Sequence, residues 1–275
     1  MKIVVTGTRG IPGIQGGVET HCQELYPLIA DEQHEIIVIR RPNYAVERSV
    51  QIYKQVAIKD ISAPRSKHLE AFVHTFKAVI YARKVKADIV HIHAVGPALM
   101  TPVARLLGMK VVITHHGPDY DRDKWGRFAK WILCMGERAG VYYANHIIVI
   151  SEHIRQIIYH QYSAKRNVTL IHNGVNVPTR VIGTEYLESL DLTEYGYVLA
   201  VGRFVKEKNL DQLVEAFTQL SSPSMKLVIA GDADFQDEYA QKLKEVCWKQ
   251  KNICLTGFIK GDKLAQLYTY AKVFV

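Results

Sequence analysis

The chain has 275 residues, of which 48% are apolar and 23% charged, an ordinary globular composition and a length that favours two domains over a single core. Its formal net charge of +8 suits an anionic partner, but the basic residues are scattered without the aromatic–basic motif of an RNA module, which argues against nucleic acid. The apolar runs fall short of the roughly 20 residues that a membrane-spanning helix needs.

The first half alternates short β-rich runs with stretches of helical periodicity. Strands are predicted at Lys2–Thr6, Glu35–Arg40, Asp88–His93, Lys110–His115, His146–Ser151 and Val168–His172. Helices are predicted at Val18–Ala30, Lys67–Lys86, Pro97–Leu107, Asp123–Ala139 and Glu152–His160. Such alternation indicates βαβ units and therefore an α/β fold with a doubly wound parallel sheet.

The same alternation restarts after a stretch without periodicity. We expect an N-terminal domain over 1–178, a linker over 179–196 and a second doubly wound domain over 197–275. Its predicted strands are Tyr197–Val201, Lys226–Ala230, Asn252–Thr256 and Val273–Val275, and its predicted helices are Asn209–Leu220, Glu238–Gln250 and Asp262–Ala271. The last strand coincides with the end of the sequence, so we expect the second domain to be incomplete and the chain to be C-terminally truncated.

Four cysteines stand far apart without a Cys-x-x-Cys pair, so the sequence predicts neither a zinc site nor a disulfide framework. These residues, Cys22, Cys134, Cys247 and Cys254, are expected to be small buried side chains of a reduced, cytoplasmic protein. The N-terminus passes directly into a strand and shows no signal-peptide pattern.

The segment VVTGTRGIPGIQGGVET, residues 4–20, raises the question of which phosphate it suits. Gly7, Gly10 and Gly13 have the spacing of a dinucleotide-binding turn. However, Gly16 and Gly17 follow, and two glycines in a helix interior cost about 1 kcal/mol each. We therefore expect a long loop with Gly16 and Gly17 at the entrance of the next helix, where backbone amides and the helix dipole suit a phosphate.

Two further features are compatible with a dehydrogenase, and neither is specific. Tyr120 and Lys124 have the Tyr-x-x-x-Lys spacing of short-chain dehydrogenases, but the same spacing recurs at 268 and 272. Arg40 and Arg41 follow the second strand, where they could suit a 2′-phosphate. With 15 tyrosines and 35 basic residues, chance matches are expected, and we treat the dehydrogenase as a minor alternative.

In the second domain, VGRFVKEKNLDQLVEAF places Arg203 and Lys208 just past a strand and before an amphipathic helix. Ligands of parallel α/β sheets bind at the carboxyl ends of the strands. We expect these two cations to face, across a cleft, the amides near Gly16 and Gly17. An anion held in this way matches the needs of a diphosphate leaving group, whose developing charge Arg and Lys can neutralise.

Five motifs in order resemble a retaining GT-B glycosyltransferase of family 4. They are GGVET, THHG at 114–117, HNGV at 172–175, VGRFVKEKN at 201–209 and LTGFI at 255–259. TRGIP and GPDYDRDKWGRFAKW, at 117–131, further resemble bacterial enzymes of polysaccharide and lipopolysaccharide assembly, including rhamnosyltransferase-like members. The resemblance covers the whole chain and implies two Rossmann-like domains that face a cleft.

The resemblance also implies roles for particular residues. Gly16 and Gly17 match the glycines that lie under the donor diphosphate, and Arg203 and Lys208 match the basic pair that binds it. The turn that lines the nucleotide base is matched by Gly257, Phe258 and Ile259. For Phe258, packing in the core is the alternative. His116 matches a histidine beside the transferred sugar, which makes it the expected catalytic residue. Strand alternation alone would allow either His115 or His116 to face the cleft.

Contacts with the acceptor and with metal ions are less defined. Asp119 is expected to touch acceptor or sugar. Glu19 is explained as well by the dipole of the helix it begins as by an acceptor contact. Asp232 and Asp234 form an Asp-x-Asp, a metal motif in the other glycosyltransferase fold, but here it follows a strand and is expected to be a loop. We therefore expect no metal ion and no cofactor.

The activity implied is transfer of a sugar, with retention and without metal, from a nucleotide diphosphate to a bacterial glycan acceptor that is lipid-linked. The alternatives are a GT-B nucleotide-sugar epimerase and a non-catalytic nucleotide-binding or partner fragment. The resemblance implies a paired-glutamate motif that would lie beyond residue 275, so we expect this chain alone to be impaired. The helix at 123–139 interleaves aromatic and basic residues, which suits either an anionic membrane surface at the inner face of the cytoplasmic membrane or packing on its own sheet.

Overall fold

A computed structural model of the chain describes residues 1–64, 70–121, 125–162, 167–175, 181–220, 225–233 and 237–275. It divides into two compact units, Met1–Val175 and Asn176–Val275, hereafter unit 1 and unit 2. Both are α/β structures built on sheets whose neighbouring strands are parallel apart from one short edge pair in unit 1, as the alternation of the sequence predicts for the main strands.

Unit 1 contains an eight-stranded sheet in the order β3-β4-β2-β1-β5-β6-β7-β8. Its strands are β1 (Lys2–Thr6), β2 (Glu35–Arg40), β3 (Ile52–Tyr53), β4 (Val56–Asp60), β5 (Ile89–His93), β6 (Lys110–His115), β7 (His146–Val149) and β8 (Val168–Leu170). Neighbours are parallel except the short antiparallel pair of β3 and β4. This pair is absent from the sequence prediction, because a two-residue strand followed by a mixed apolar and charged stretch carries little periodicity.

The helices of unit 1 largely match their predicted positions. They are α1 (Gly17–Ile29), α2 (Glu70–Lys84), α3 (Thr101–Leu106), α4 (Arg127–Tyr143) and α5 (Glu152–Tyr162). The helix predicted over 97–107 is a 3-10 turn, Pro97–Met100, followed by α3, in which Pro102 occupies the first turn, where a missing amide hydrogen costs nothing. The first residues of two predicted helices, 67–69 and 123–124, lie outside the described residues.

Side-chain alternation in the central strands separates two layers of core. Val4 of β1 packs with Ile37, Val90 and α2 on one face, while its neighbour Val5 packs with Cys22 and Tyr26 of α1 on the other. Because a strand has a period of two, consecutive residues must face opposite layers. The sheet therefore holds α1 against one face, with the glycine-rich loop at the carboxyl end of β1.

Unit 2 contains a four-stranded parallel sheet in the order β11-β10-β9-β12. Its elements are α6 (Glu185–Ser189), β9 (Tyr197–Val201), α7 (Leu210–Gln219), β10 (Lys226–Ala230), α8 (Glu238–Trp248), β11 (Ile253–Gly257), α9 (Asp262–Tyr270) and β12 (Val273–Phe274). Helix α6 lies inside the predicted linker 179–196. Its Leu187 is 1% exposed and packs in one core with Leu267 and Tyr270, so this part of the stretch belongs to unit 2.

Two smaller observations bear on the sequence predictions. The expectation that the cysteines are buried is wrong for Cys134, which is exposed on α4, whereas Cys22 and Cys247 are buried. Residue 134 lies on the outward side of an amphipathic helix, and amino-acid composition alone does not predict which side of a helix a cysteine occupies. Among the described residues, no helix has the length and apolar character needed to cross a bilayer.

Candidate functional site

The glycine-rich loop ends where the sequence predicts. Gly16, at φ 148° and ψ 150°, precedes α1, and the helix begins at Gly17. A Cβ added to Gly7 would lie 2.1 Å from the His93 carbonyl oxygen, and one added to Gly10 would lie 2.5 Å from Cγ of Arg40. These glycines are therefore required for packing of the loop on β2 and β5.

Glu19, in the first turn of α1, joins the helix to the loop. Its Oε1 accepts hydrogen bonds from the Thr8 hydroxyl at 3.1 Å and from the Arg9 amide at 2.9 Å, and the side chain is 8% exposed. A Cβ on Gly16 would lie 1.9 Å from its Oε2. The carboxylate thus contacts the chain itself, a function that sequence reasoning missed when it weighed dipole stabilisation against acceptor binding.

Arg40 is fully buried and is a structural residue. Its guanidinium donates to both carboxylate oxygens of Asp60, at 2.7 and 3.0 Å, and to three backbone carbonyls of the following loop. A buried, paired guanidinium of this kind is not available to a 2′-phosphate. The dehydrogenase alternative loses this support.

The structure separates the two adjacent histidines at the end of β6. His115 is 2% exposed, and its Nε2 lies 2.7 Å from Oε1 of Glu137 on α4. His116 is half-buried and lies on the other side, next to His21 and His93. Strand alternation alone left both residues open, and the structure places His115 in the interior of unit 1 and His116 in the histidine group.

Glu137 is the centre of a small buried polar network. Besides His115, it accepts hydrogen bonds from the hydroxyls of Tyr162 at 2.5 Å and Tyr120 at 3.2 Å. Burial alone would raise the pKa of Glu137, but these hydrogen bonds outweigh it and lower the pKa below its ordinary value. The Gly117 amide donates to Nδ1 of His115 at 3.2 Å, so this network fixes the backbone that carries His116.

A group of histidines surrounds His116. Nε2 of His116 lies 2.9 Å from Nδ1 of His93, and the ring of His21, from α1, is 5.3 Å from that of His116 between centroids. Burial, followed by the neighbouring His21 and His115, lowers the pKa of His116 to about 4. The ring is therefore neutral near pH 7.

His21, His93 and His116 each offer a nitrogen within 4.8 Å of the other two, so they are the described residues that could hold a metal ion. Neutral imidazoles are common ligands of divalent transition metals. Sequence reasoning missed His21 and His93. The signal was present in VHIHA, because a His-x-His in a buried strand puts both rings on one face.

Asp119 lies in a 3-10 turn, and Asp232, the described acidic residue of the Asp-x-Asp motif, lies in a loop. Asp119 is half-buried in the 3-10 turn Asp119–Asp121, three residues after His116. Asp232, in the loop after β10, is paired with Lys244 of α8 at 2.7 Å, and Asp234 lies outside the described residues. The position of Asp232 outside the strands and helices agrees with the loop expected from the sequence at this residue.

In unit 2, the predicted residues meet at the carboxyl edge of the sheet. Gly202, Gly231 and Gly257 stand at the ends of β9, β10 and β11, and a Cβ on Gly231 would lie 1.9 Å from the Gly202 carbonyl oxygen. Arg203 follows directly and is half-buried, and Lys208 is exposed in the 3-10 turn Lys206–Lys208. This edge therefore carries two cations beside closely packed backbone.

The three residues predicted to line a base also lie at this edge. Gly257 adopts φ +69° and ends β11. Phe258 is 54% exposed, which removes core packing as its explanation, whereas Ile259 is half-buried against the cluster that contains Leu187 and Leu267. An exposed aromatic ring beside a glycine turn is suited to stacking on a planar ligand.

Comparison with known families decides the class of this protein. The family description "Glycosyltransferase Family 4" matches residues 15–178, and "Glycosyl transferases group 1" matches residues 185–275. The chain belongs to glycosyltransferase family 4. The motifs that suggested this family from sequence alone are thereby confirmed at the family level, and the protein is a glycosyltransferase.

Similar proteins agree with the assignment. An uncharacterized glycosyltransferase of Methanocaldococcus jannaschii is 26% identical over 304 residues, which cover 100% of this chain and 74% of that protein. The N-acetylgalactosamine-N,N'-diacetylbacillosaminyl-diphospho-undecaprenol 4-alpha-N-acetylgalactosaminyltransferase of Campylobacter jejuni is 30% identical over 109 residues, which cover 38% of this chain and 28% of that protein.

The fold of this family-4 glycosyltransferase is also found in solved structures. The Anabaena protein HepE, determined in complex with UDP-glucose, superposes with a TM-score of 0.77 at 15% identity, covering 100% of this chain and 73% of HepE. Similarity at this level of identity shows the fold, which is the GT-B fold.

Proposed function

We propose that this chain moves a sugar from a nucleotide-diphosphate donor to the hydroxyl of a bacterial glycan acceptor, with retention at the anomeric carbon and without a metal ion or cofactor. The observation that carries the proposal is the position of His116 beside α1, whose N-terminus is formed by Gly16 and Gly17. A helix N-terminus with glycines favours phosphate, and a neutral imidazole beside it can hydrogen-bond the sugar attached to that phosphate.

Each unit contributes part of the chemistry in this proposal. In unit 1, the amides at Gly16 and Gly17 approach the diphosphate and His116 contacts the transferred sugar. In unit 2, Arg203 and Lys208 neutralise the charge that develops on the leaving diphosphate. The acceptor hydroxyl attacks from the side of the leaving group, and a departing phosphate oxygen takes its proton, which gives retention.

Other donor and acceptor contacts are assigned by position. Phe258 stacks on the nucleotide base, with Gly257 and Ile259 shaping the turn beneath it. Asp119 is the acceptor-side or sugar-side contact in unit 1. Glu19 is a weaker candidate, because both of its described hydrogen bonds hold the loop. UDP is the nucleotide in the solved HepE complex, which makes it the first donor nucleotide to test.

Nucleotide titration tests the phosphate contacts. Isothermal titration with UDP, GDP, ADP and dTDP should detect binding of at least one nucleotide, and Arg203→Ala or Lys208→Ala should weaken it by roughly tenfold each. Lys206→Ala is the matched control, since Lys206 is an exposed lysine of the same 3-10 turn. Equal losses in all three variants would reduce the effect to general charge and contradict the proposed contacts.

Product analysis separates the alternatives. A glycosyltransferase releases nucleoside diphosphate and forms a glycoside only when an acceptor is added. An epimerase would convert the nucleotide sugar without any acceptor, and a non-catalytic binding fragment would bind nucleotide without turnover. Because three histidines could take up a metal, the assay should run with and without a chelator. Loss of transfer on chelation, restored by a divalent ion, would overturn the metal-independent proposal.

We further propose that the acceptor is lipid-linked and that α4 contacts an anionic membrane surface at the cytoplasmic face. Phe128, Trp131, Met135 and Tyr142 follow helical spacing and are all exposed, with Phe128 73% and Trp131 59% exposed. Arg138 is exposed on the same face. An apolar stripe flanked by basic residues suits the boundary between lipid headgroups and acyl chains. The Campylobacter relative, whose name includes a diphospho-undecaprenol, supports such an acceptor.

Vesicle flotation tests the membrane proposal. Vesicles with anionic lipid should carry the protein upward at low salt, neutral vesicles should carry less, and Phe128→Ser with Trp131→Ser should abolish the association. Trp248→Ser is the control, because Trp248 is a 73% exposed tryptophan in unit 2. Equal flotation of the double variant and the wild-type protein would contradict the proposal that this surface of α4 contacts the membrane.

A further inference from the structure

A continuous hydrogen-bond chain, hereafter the buried chain, leads from the interior of unit 1 to His116. It runs through Thr114, His91, Tyr26 and His93. The Thr114 hydroxyl lies 2.8 Å from Nε2 of His91, and Nδ1 of His91 lies 2.8 Å from the Tyr26 hydroxyl. That hydroxyl lies 2.6 Å from Nε2 of His93, whose Nδ1 reaches Nε2 of His116 at 2.9 Å.

Each member of the buried chain is enclosed by protein. His93 is completely buried, Tyr26 and Thr114 are 1% exposed, and His91 is 9% exposed. Enclosure of this kind disfavours a charged imidazolium, and a neutral ring has one nitrogen that donates and one that accepts.

A chain of neutral groups has only two consistent arrangements of its protons. Tyr26 has a single proton and bridges two histidines, so it must donate to one and accept from the other. If it donates to His93, then Nδ1 of His93 donates to His116, whose own proton must sit on Nδ1. If it donates to His91, every bond reverses and His116 carries its proton on Nε2.

The distances favour one of these two proton arrangements. Hydrogen bonds donated by a hydroxyl are shorter than those donated by a nitrogen, by roughly 0.2 Å. The bond from Tyr26 to His93 is the shorter one, at 2.6 Å against 2.8 Å to His91. We therefore assign Tyr26 as the donor to His93 and His91 as the donor to Tyr26. The Thr114 hydroxyl can complete the chain because it is free to rotate and donate.

We propose that the buried chain fixes the ring proton of His116 on Nδ1, so that this residue meets its ligand as a hydrogen-bond donor. Within the described part of the chain, the hydrogen bond of His116 is made by Nε2, which leaves Nδ1 for a ligand. The matching ligand atom is an oxygen with an available lone pair on the donor nucleotide sugar. Identifying this ligand rests on the proposed function, but the position of the proton does not. Tyr26 and His93 are then positioning residues.

Nitrogen-15 NMR of histidine side chains tests the proposal directly, since the two neutral tautomers give distinct shift patterns. At pH 7 with a chelator present, wild type should show His116 as the Nδ1–H tautomer, with the resonance identified by its absence in His116→Gln. Tyr26→Phe should shift His116 toward the Nε2–H tautomer, because His93 loses the donor that fixed its own proton.

A matched variant controls for loss of a buried hydroxyl. Tyr197 is completely buried in unit 2 and donates to the Leu267 carbonyl at 2.7 Å, so Tyr197→Phe should leave the His116 spectrum unchanged. In a transfer assay, Tyr26→Phe should lower kcat by roughly tenfold with little change in KM for the donor.

The NMR result tests the position of the His116 proton independently of whether the protein transfers a sugar. A wild-type His116 with its proton on Nε2, or a charged ring, overturns the proposal even if Tyr26→Phe does not fold. An unchanged tautomer in a folded Tyr26→Phe protein overturns it as well. Absence of sugar transfer would instead contradict the proposed function and leave the tautomer result standing.

Discussion

Gly16 and Gly17 look alike in the sequence and differ completely in the structure. Gly16 has φ +148°, and any Cβ there would collide with the Glu19 carboxylate, whereas Gly17 is the first residue of α1 with nothing within 4 Å of its Cβ position. The first glycine is thus required by the fold. The second is required only if a ligand approaches the backbone closely.

Substituting each glycine by alanine separates these two requirements. Gly16→Ala should lower the free energy of unfolding by about 1–3 kcal/mol, from strain at positive φ and displacement of Glu19. Gly17→Ala should leave stability unchanged or raise it by up to about 1 kcal/mol, because alanine restricts the unfolded chain. Urea unfolding measures both.

The functional consequence of Gly17→Ala is the sharper test of the site. If the amide of residue 17 lies against the donor diphosphate, the added methyl group should reduce sugar transfer at least tenfold in a protein of normal stability. Full transfer by Gly17→Ala would show that no ligand approaches this backbone, and the assignment of the helix entrance to the diphosphate would fail.

At the scale of elements, the loop after β6 is held by a side chain of α4. Glu137 binds His115 in the last position of the strand and Tyr120 in the loop, with His116 between them. Glu137→Gln keeps the shape but loses the charge that strengthens these hydrogen bonds, which are worth about 1.5–3 kcal/mol each when charged. We expect a loss of about 2 kcal/mol in stability and reduced sugar transfer.

Glu152→Gln provides the control for this substitution. Glu152 is exposed at the start of α5 and pairs with Arg155 in the same helix. Exposed pairs contribute about 0.5 kcal/mol or less, so the change should be small. Thermal unfolding and initial transfer rates check both variants. Equal effects of the two substitutions would contradict a special role for Glu137.

Most strands and helices could be predicted from the sequence, because the central strands are buried on both faces. β1, β2, β6, β9 and β10 match their predicted bounds to the residue, because strands of parallel sheets are apolar on both faces and stand out as short β-branched runs. The edge pair β3 and β4 was missed, since pairing at an edge depends on a turn and leaves little pattern. The described ends of the helices differ from the predicted ends by up to four residues.

The site was predictable only where its residues are consecutive. The entrance at Gly16 follows from the local cost of glycine in a helix, so the sequence indicated it. The buried chain joins α1, β5 and β6, and His93 meets His116 only because β5 and β6 pair with His93 opposite Thr114. That register depends on the order of strands in the sheet, which local periodicity does not contain.

At the scale of the whole molecule, the histidines are distributed unequally. All 12 lie in unit 1, and unit 2 contains none. Burial, and for His74 the nearby charge of Arg41, lowers the pKa of His74 to about 3, and the histidines of the site show shifts in the same direction. Unit 1 therefore contains several imidazoles that the folded state keeps neutral.

This distribution predicts that acid destabilises unit 1 before unit 2. An unfolded chain takes up protons at these histidines near pH 6.5, while the folded unit does not until pH 4 or below. The free energy of unfolding of unit 1 should thus fall as the pH is lowered from 6.5 to 4, by about 1.4 kcal/mol per pH unit for each such histidine. Hydrogen exchange followed by mass spectrometry, with a chelator present and urea added, resolves the two units at pH 7, 6 and 5.

Single histidine variants measure how much one residue contributes to the pH dependence of the free energy of unfolding. His74→Gln removes one group that the folded state keeps neutral, so the pH slope of unit 1 should become shallower by about 1.4 kcal/mol per pH unit, whatever the change in absolute stability. His153→Gln, at an exposed position of α5, should keep the wild-type slope. If units 1 and 2 lost protection together at every pH, or if both variants behaved alike, buried neutral histidines would not be the source of the acid sensitivity.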